Sequence, residues 1–184
     1  MNPVKEKYLV FRARHGNKKA CRKLIDEHYL PVYKFLYKYC QNKNLAQDLT
    51  QDTFTKVWQS LDQFNSNCKL RTWIIRIAYN LFIDYTRKNK KHLATIEKYR
   101  DVILDDPIST STSTKITPKT LLSLVDELSQ KLQKVILLHY LNELSLSQVA
   151  VILNIPEGTV KSRLNAALKK LRKKLNHLNI YEEQ

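Results

Sequence analysis

Residues 145–175 read SLSQVAVILNIPEGTVKSRLNAALKKLRKKL, and the interpretation of the whole chain starts from this stretch. It divides at Asn154-Ile155-Pro156 into two helical patterns. In the second, Val160, Leu164, Leu168, Leu171 and Leu175 recur at helical spacing and predict one buried stripe. Thr159, Ser162, Arg163, Asn165 and Lys169 fall outside it. Seven cations (Lys161, Arg163, Lys169, Lys170, Arg172, Lys173, Lys174) and no acidic residue lie between Gly158 and Leu175. Pro156, with its fixed φ and missing N–H, suits the first turn of the second helix. A short helix packed behind a basic one is the arrangement that lays side chains in a DNA major groove. The competing reading is a solvated amphipathic helix. The one-signed charge counts against it, because ordinary solvent faces mix both signs.

The chain has 184 residues, a net charge of +15 and a pI near 9.7, which point to a polyanionic partner. Residues 1–92 hold 19 Lys/Arg against 7 Asp/Glu, residues 93–120 hold 4 against 4, and residues 121–184 hold 9 against 6. No run approaches the roughly 18 apolar residues of a membrane span, and the N-terminus lacks a signal-peptide core. A cytoplasmic protein is expected. Cys21, Cys40 and Cys68 are widely spaced, which predicts small buried thiols rather than a disulfide framework or zinc site. His15, His28, His92, His139 and His177 show no ligand spacing. Gly16 and Gly158 are the only glycines, and alternating strands are absent, so the fold class expected is all-α. No phosphate loop or nucleophile–base pair is recognisable. Neither enzymatic activity nor a cofactor, metal or small-molecule substrate is expected.

Two small helical domains, 1–92 and 121–184, are predicted on either side of a linker over 93–120. The stretch ILDDPISTSTSTKITPKT (103–120), with its Ser/Thr alternation, Pro107 and Pro118, reads as flexible. The first domain reads as four helices: about Val4–Arg14, stopped by His15-Gly16-Asn17; about Lys18–Cys40; about Leu45–Leu61; and about Leu70–Asn89. The second has Leu24, Ile25, Tyr29, Val32, Leu36 and Tyr39 as its stripe, with Pro31 a candidate kink. The third turns Leu49, Thr53, Val57 and Leu61 inward, with Phe54 and Trp58 beside them. Between the third and fourth lies a polar loop, 62–68, offering Phe64 as an exposed aromatic.

Two segments carry the chemistry. In KLRTWIIRIAYNLFIDYTRKNKK (69–91), Arg76, Asn80 and Arg87 share one face. Lys69 and Arg71 precede them, and Lys88, Lys90 and Lys91 follow. Trp73, Ile77, Leu81 and Asp84 lie on a neighbouring face. A basic helix with an amide and aromatics beside a polar loop suits phosphate contacts and reading of unstacked bases. Trp73 is expected to support rather than touch a base. In AQDLTQDTF (46–54), Asp48 and Asp52 stand four apart with Gln51 beside them. Charge–dipole complementarity at a helix N-terminus would account for Asp48. The cluster also reads as a docking patch for Arg/Lys of a protein partner.

On these residues the chain resembles an RNA polymerase sigma factor of the extracytoplasmic-function type, the minimal two-domain class. HGNKKACRKLIDEHYLPVYKFLYKYC (15–40), AQDLTQDTFTKVWQSLDQF (46–64) and RTWIIRIAYNLFIDYTRK (71–88) are similar to that family's region 2. Residues 126–175 are similar to its region 4. The resemblance implies that Asp48, Leu49, Gln51 and Asp52 bind the clamp helices of the polymerase β′ subunit. It implies that region 2 recognises and melts the promoter −10 element. The loop 62–69 would hold a flipped base, so Phe64, Asn65, Lys69, Arg71, Arg76, Asn80, Arg87 and Lys88 become candidate −10 contacts. Region 4 would read the −35 element through 157–170, with Thr159, Lys161, Ser162, Arg163, Asn165 and Lys169 as contacts. The helix 129–141 would lie against the β flap, and an anti-sigma protein is an expected further partner. This sequence departs from the family pattern at Gln47 and Asp52, where Glu is usual, at Gln133 and His139, and at Asn165-Ala166.

Two other classes compete. A helix-turn-helix regulator acting without polymerase would need a receiver or ligand domain with strands and glycines, which 1–92 does not offer. A basic RNA-binding or ribosomal protein would explain the charge but not the acidic patch at 48–52.

Overall fold

In the computed structural model, residues 2–89 and 123–181 are described, and they form helices and the turns between them, with no strand among them. This is the expected all-α class. The described residues separate into two compact units. The expected linker 93–120, and Lys90, Lys91 and His92 before it, lie outside the described residues.

The first unit has four helices: α1 (Pro3–Arg14), α2 (Lys18–Cys40), α3 (Lys43–Ser60) and α4 (Leu70–Lys88), with a 3₁₀ turn over Leu61–Gln63. Three asparagines begin three of the helices. Asn2, Asn17 and Asn42 accept from the N–H groups of Val4, Ala20 and Leu45 at 3.0, 2.9 and 3.0 Å, satisfying donors that have no partner within the helix. Asn42 makes α3 start two residues earlier than its apolar pattern suggests. Between α1 and α2 the chain reverses at Gly16 (φ +74°). There Gly16 N–H donates to Ala13 O and Asn17 N–H to Arg12 O, at 3.0 and 3.1 Å, closing α1 through the left-handed conformation that glycine adopts without a Cβ penalty. Pro31 contributes no N–H to the ladder of α2, yet the helix runs through it.

Helix α2 packs against α1, α3 and α4, and α3 against α4. Leu24, Leu36, Leu70 and Ile74 are almost wholly inaccessible. The buried stripe of α2 differs from the expected one. Ile25 and Tyr29 are half-exposed, while His28 and Phe35 take central places. Neither His28 ring nitrogen meets a hydrogen-bond partner among the described residues. Burial pushes its pKa below the ordinary histidine value, against the opposing pull of Glu6 and Glu27 and with a smaller push from Arg71.

The second unit begins with helical residues 123–126 and continues through α5 (Gln130–Ile136), α6 (Leu146–Leu153) and α7 (Glu157–Tyr181). After α5 the chain winds through a wider π turn over Leu137–Leu141, closed by Asn142 N–H on Leu137 O at 3.2 Å. The His139 ring donates Nδ1–H to Leu144 O at 2.7 Å. A reciprocal capping box starts α6: Ser145 Oγ accepts from Gln148 N–H at 3.2 Å, and Gln148 Oε1 from Ser145 N–H at 2.9 Å. Asn154, in the left-handed region at φ 54°, ends it. Pro156 stands just before α7 rather than inside it, and its carbonyl accepts the first bonds, from Thr159 and Val160 N–H. The stripe of α7 follows the prediction at Val160, Leu164 and Leu171 but passes through Ala167, with Leu168 and Leu175 half-exposed. A fully buried alanine lets a helix approach its neighbour closely, and α7 packs on both α5 and α6.

The pKa of His28 sets an expectation for stability against pH. A histidine whose folded pKa is lowered binds more protons when unfolded, so its contribution is intact above the unfolded pKa near 6.5 and lost as pH falls below it. His28→Leu should flatten the loss of thermal stability between neutral and mildly acidic pH. Melting curves across that range check it.

Candidate nucleic-acid interface

Helix α4 has one side in the core (Leu70, Ile74, Ala78, Phe82) and the other open. With the end of α3 that open side forms a cleft of about 420 Å³, lined by Lys56, Ser60 and Gln63 on one wall and Trp73, Arg76 and Asn80 on the other. Arg76 and Trp73 are half-buried and Asn80 is exposed. A guanidinium, an amide and an indole thus share one concave surface. The amide can both donate to and accept from a base edge, while the guanidinium supplies donors and fixed charge.

The remaining predicted residues around α4 divide. Arg87 lies 3.6 Å from Asp84, so part of its charge is balanced on the helix itself. Lys69 and Lys88 are exposed at the two ends of α4. Arg71 is exposed about 140° around the helix from Arg76, on a different side of α4. Asn65 is exposed, and its side chain accepts from Asn67 N–H at 3.2 Å.

Phe64 corrects the expectation of an exposed aromatic. It is 5% accessible and packs against Trp73, with ring centroids 5.3 Å apart. The 3₁₀ turn before it rolls the ring inward, and Phe64 N–H donates to Leu61 O at 3.1 Å. Phe64 therefore supports the loop from below and presents no face to a base. Helix α1 ties the same loop, which the sequence did not reveal. The Arg14 guanidinium donates to Leu61 O at 3.1 Å and to Phe64 O. Glu6 accepts from Leu70 N–H at 3.3 Å, placing an anion at the start of α4, where the helix dipole favours it.

On α3, Asp48, Gln51 and Asp52 are exposed on one ridge, with Gln47 beside them. Leu49 is 5% accessible and belongs to the core, so a direct partner contact from it is corrected: a side chain on the inward face cannot also reach a partner. The dipole account of Asp48 fails as well. With α3 starting at Lys43, Asp48 lies beyond the first turn, where the dipole has faded. Neither carboxylate has an ion-pair partner among the described residues, and they stand on a domain otherwise rich in Lys and Arg.

On α7, Ser162, Asn165 and Lys169 are exposed on the side away from the core, and Thr159 and Arg163 are half-buried on its margin. Lys161 pairs with Glu157 at 3.0 Å, one turn back. Ser162 Oγ donates to Thr159 O at 3.0 Å. Ala166 and Lys173 also face outward, and the helical period of the buried stripe would have identified both.

Residues 24–92 match the Sigma-70 region 2 family and residues 119–171 match Sigma-70 region 4. The ECF RNA polymerase sigma factor SigW of Bacillus subtilis is 33% identical over 178 residues, which cover 91% of this chain and 95% of SigW. SigM of the same organism is 30% identical over 152 residues, covering 80% of this chain and 93% of SigM. The chain belongs to the ECF sigma factors of the sigma-70 family. It is therefore a non-enzymatic initiation factor that directs RNA polymerase to promoters, which sets aside a regulator acting without polymerase. The ECF sigma-E factor of Haemophilus influenzae is 28% identical over 181 residues, covering 92% of this chain and 95% of that protein. Among solved structures, CnrH in complex with the cytosolic domain of CnrY shares the fold, with TM-score 0.62, 22% identity, and coverage of 94% of this chain and 97% of CnrH. RpoE of Bartonella quintana, in complex with the anti-sigma factor NepR, has TM-score 0.54 at 22% identity, with coverage of 84% and 96%. Among the described residues no helix is long and apolar enough to cross a membrane.

The burial of Phe64 separates two roles within one loop. Phe64→Ala should cost about 3–5 kcal/mol, as deletion of a buried ring does. Asn65→Ala, at an exposed position, should leave the melting temperature of the sigma factor unchanged. Thermal denaturation of the two variants side by side checks this.

Proposed function

We propose that the sigma factor divides promoter recognition between its two units. Residues 1–92 bind core polymerase and open the −10 element, residues 121–184 read the −35 element, and residues 93–120 link them. Core binding falls to Asp48, Gln51 and Asp52, set against cationic side chains of the β′ clamp helices, while Leu49 holds the ridge rigid from beneath. The observation that carries this is the acidic ridge on a strongly basic domain: two carboxylates with no ion-pair partner among the described residues are suited to an external cation.

At the −10 element, Lys69, Arg76, Arg87 and Lys88 attract the backbone, Asn65 can hydrogen-bond it, and Asn80 hydrogen-bonds a base edge once the strands separate. Arg71, on another side of α4, stays outside this surface. Trp73 and Phe64 support that surface. At the −35 element, Ser162, Asn165 and Lys169 face the groove with Thr159. Lys161 meets phosphate and Arg163 reads a base. The helix and π turn over 129–141 dock on the β flap, and exposed Tyr140 is suited to that contact. The complex of RpoE with the anti-sigma factor NepR supports an anti-sigma protein as a further partner in the cytoplasm, and CnrH is likewise seen with the cytosolic domain of CnrY.

Two measurements test this division. Asp48→Arg and Asp52→Arg should abolish binding to purified core while leaving the melting temperature unchanged; normal core affinity in both would move the docking site elsewhere. On a panel of −35 variants, Arg163→Ala should cost about 1–3 kcal/mol at one base pair, whereas Lys161→Ala should weaken every promoter alike and lower the salt slope by about one. Equal losses on every variant for Arg163→Ala would remove the base-reading role.

A further inference from the structure

Helix α1 is apolar on two opposite sides. Leu9, Val10 and Ala13 are buried against the rest of the first unit. On the far side Val4, Tyr8 and Phe11 are 75, 56 and 57% exposed. His15 extends that line by packing its ring on Phe11, with centroids 4.4 Å apart. The four residues follow one another at steps of four, three and four, the spacing of the a and d seam of a coiled coil. In that register the flanking e and g positions are Lys5, Lys7, Arg12 and Arg14, all basic. Arg14 turns onto the Leu61 and Phe64 carbonyls, and Lys5, Lys7 and Arg12 remain exposed. Arg12 braces the seam: its Nη1 donates to the Tyr8 hydroxyl at 2.9 Å, and its guanidinium lies 5.8 Å from the centre of the Tyr8 ring.

The fold of the unit does not require this second stripe, since the buried side already anchors α1. We propose that the exposed side of α1 is a docking strip for a helix of a partner protein, apolar along its seam and bearing Asp or Glu on both flanks. Charge complementarity defines that occupant, because the e and g residues of a seam pair with those of the opposing helix. A second copy of this chain is disfavoured, as basic flanks would face basic flanks in either orientation. An anionic bilayer would satisfy the charge, but a lipid-facing helix presents a broad apolar face, and here the apolar line is one side chain wide. The proposal does not depend on the assignment of promoter contacts, and the strip precedes the region 2 match that starts at residue 24.

The test uses the full chain and two labelled three-heptad peptides with Leu at a and d, one with Glu and one with Lys at every e and g. In anisotropy titrations the Glu peptide should bind at least about tenfold more tightly than the Lys peptide, and Phe11→Ala should weaken it about tenfold, as loss of an aromatic anchor does. Because Phe11 is exposed, the melting temperature of that variant should not change. Lys5→Glu/Lys7→Glu/Arg12→Glu should reverse the preference between peptides. The same reversal at Lys170, Arg172 and Lys173 should leave the preference intact, which separates docking from the attraction of a basic protein for any acidic peptide. The proposal is overturned by a preference that follows total charge rather than α1, or by indifference to Phe11→Ala. It is equally overturned if Phe11→Ala abolishes self-association, or binding to phosphatidylglycerol vesicles, while neither peptide binds.

Discussion

The packing of α4 against α2 and α3 is the constraint on which the first unit depends. Leu70, Ile74, Ala78 and Phe82 are spaced so that burying them turns Arg76 and Asn80 outward together. The same burial brings the end of α3 beside α4 and so forms the second wall of the cleft. Half-buried Arg76 can lay its aliphatic stem along apolar surface while its guanidinium reaches water. The loop at the start of α4 is held from two directions, by Phe64 beneath and by Arg14 and Glu6 of α1 alongside. Loosening the α4 packing would therefore disperse the interface residues before it reduced the positive charge.

The charge distribution suits a protein that needs a larger partner to act on DNA. The excess of cations is uneven, 19 Lys/Arg against 7 Asp/Glu in residues 1–92 but 9 against 6 in 121–184, so the second unit alone has little net attraction for phosphate. Electrostatic affinity grows with the number of phosphate contacts and falls steeply with salt. A sigma factor works within polymerase, and Asp48 and Asp52 reverse the local sign on the surface where attachment is proposed. In the second unit Lys161 and Lys174 are both partnered, by Glu157 and Glu127. Exposed Lys169, Lys170, Arg172 and Lys173 have no ion-pair partner among the described residues and carry the remaining charge of the α7 surface.

Much of this was legible in the sequence where helical period and burial coincide. The four helices of the first unit, the helix pair on either side of the break at Asn154–Pro156 and the inward turn of Val160, Leu164 and Leu171 follow from spacing, whereas the helix before them, 129–141, was expected only from the family resemblance. What escaped it depended on tertiary contacts. Ala167 displaces Leu168 from the stripe because close helix approach rewards a small side chain, which hydrophobicity does not register. His28 sits in the core, where burial pushes its pKa down, although its polarity argues for the surface. Phe64 looked exposed because its neighbours in sequence are polar; its neighbour in space is Trp73. Leu49 is the instructive case, since its spacing put it inside and the family motif put it outside, and burial follows spacing. The ties from Arg14 and Glu6 span 47 to 64 residues, beyond the reach of any local pattern.

Asn80 decides whether the cleft on α4 acts in strand separation. The direct measurement is permanganate reactivity of promoter thymines with polymerase carrying Asn80→Ala, on duplex DNA and on a template mismatched across the −10 element. An amide adds little to long-range attraction, so the variant should bind core and form the closed complex normally, lose thymine reactivity on the duplex, and regain function on the open template. Failure of the open template to rescue it, or loss of thermal stability together with every activity, would contradict a melting role and make Asn80 a structural residue.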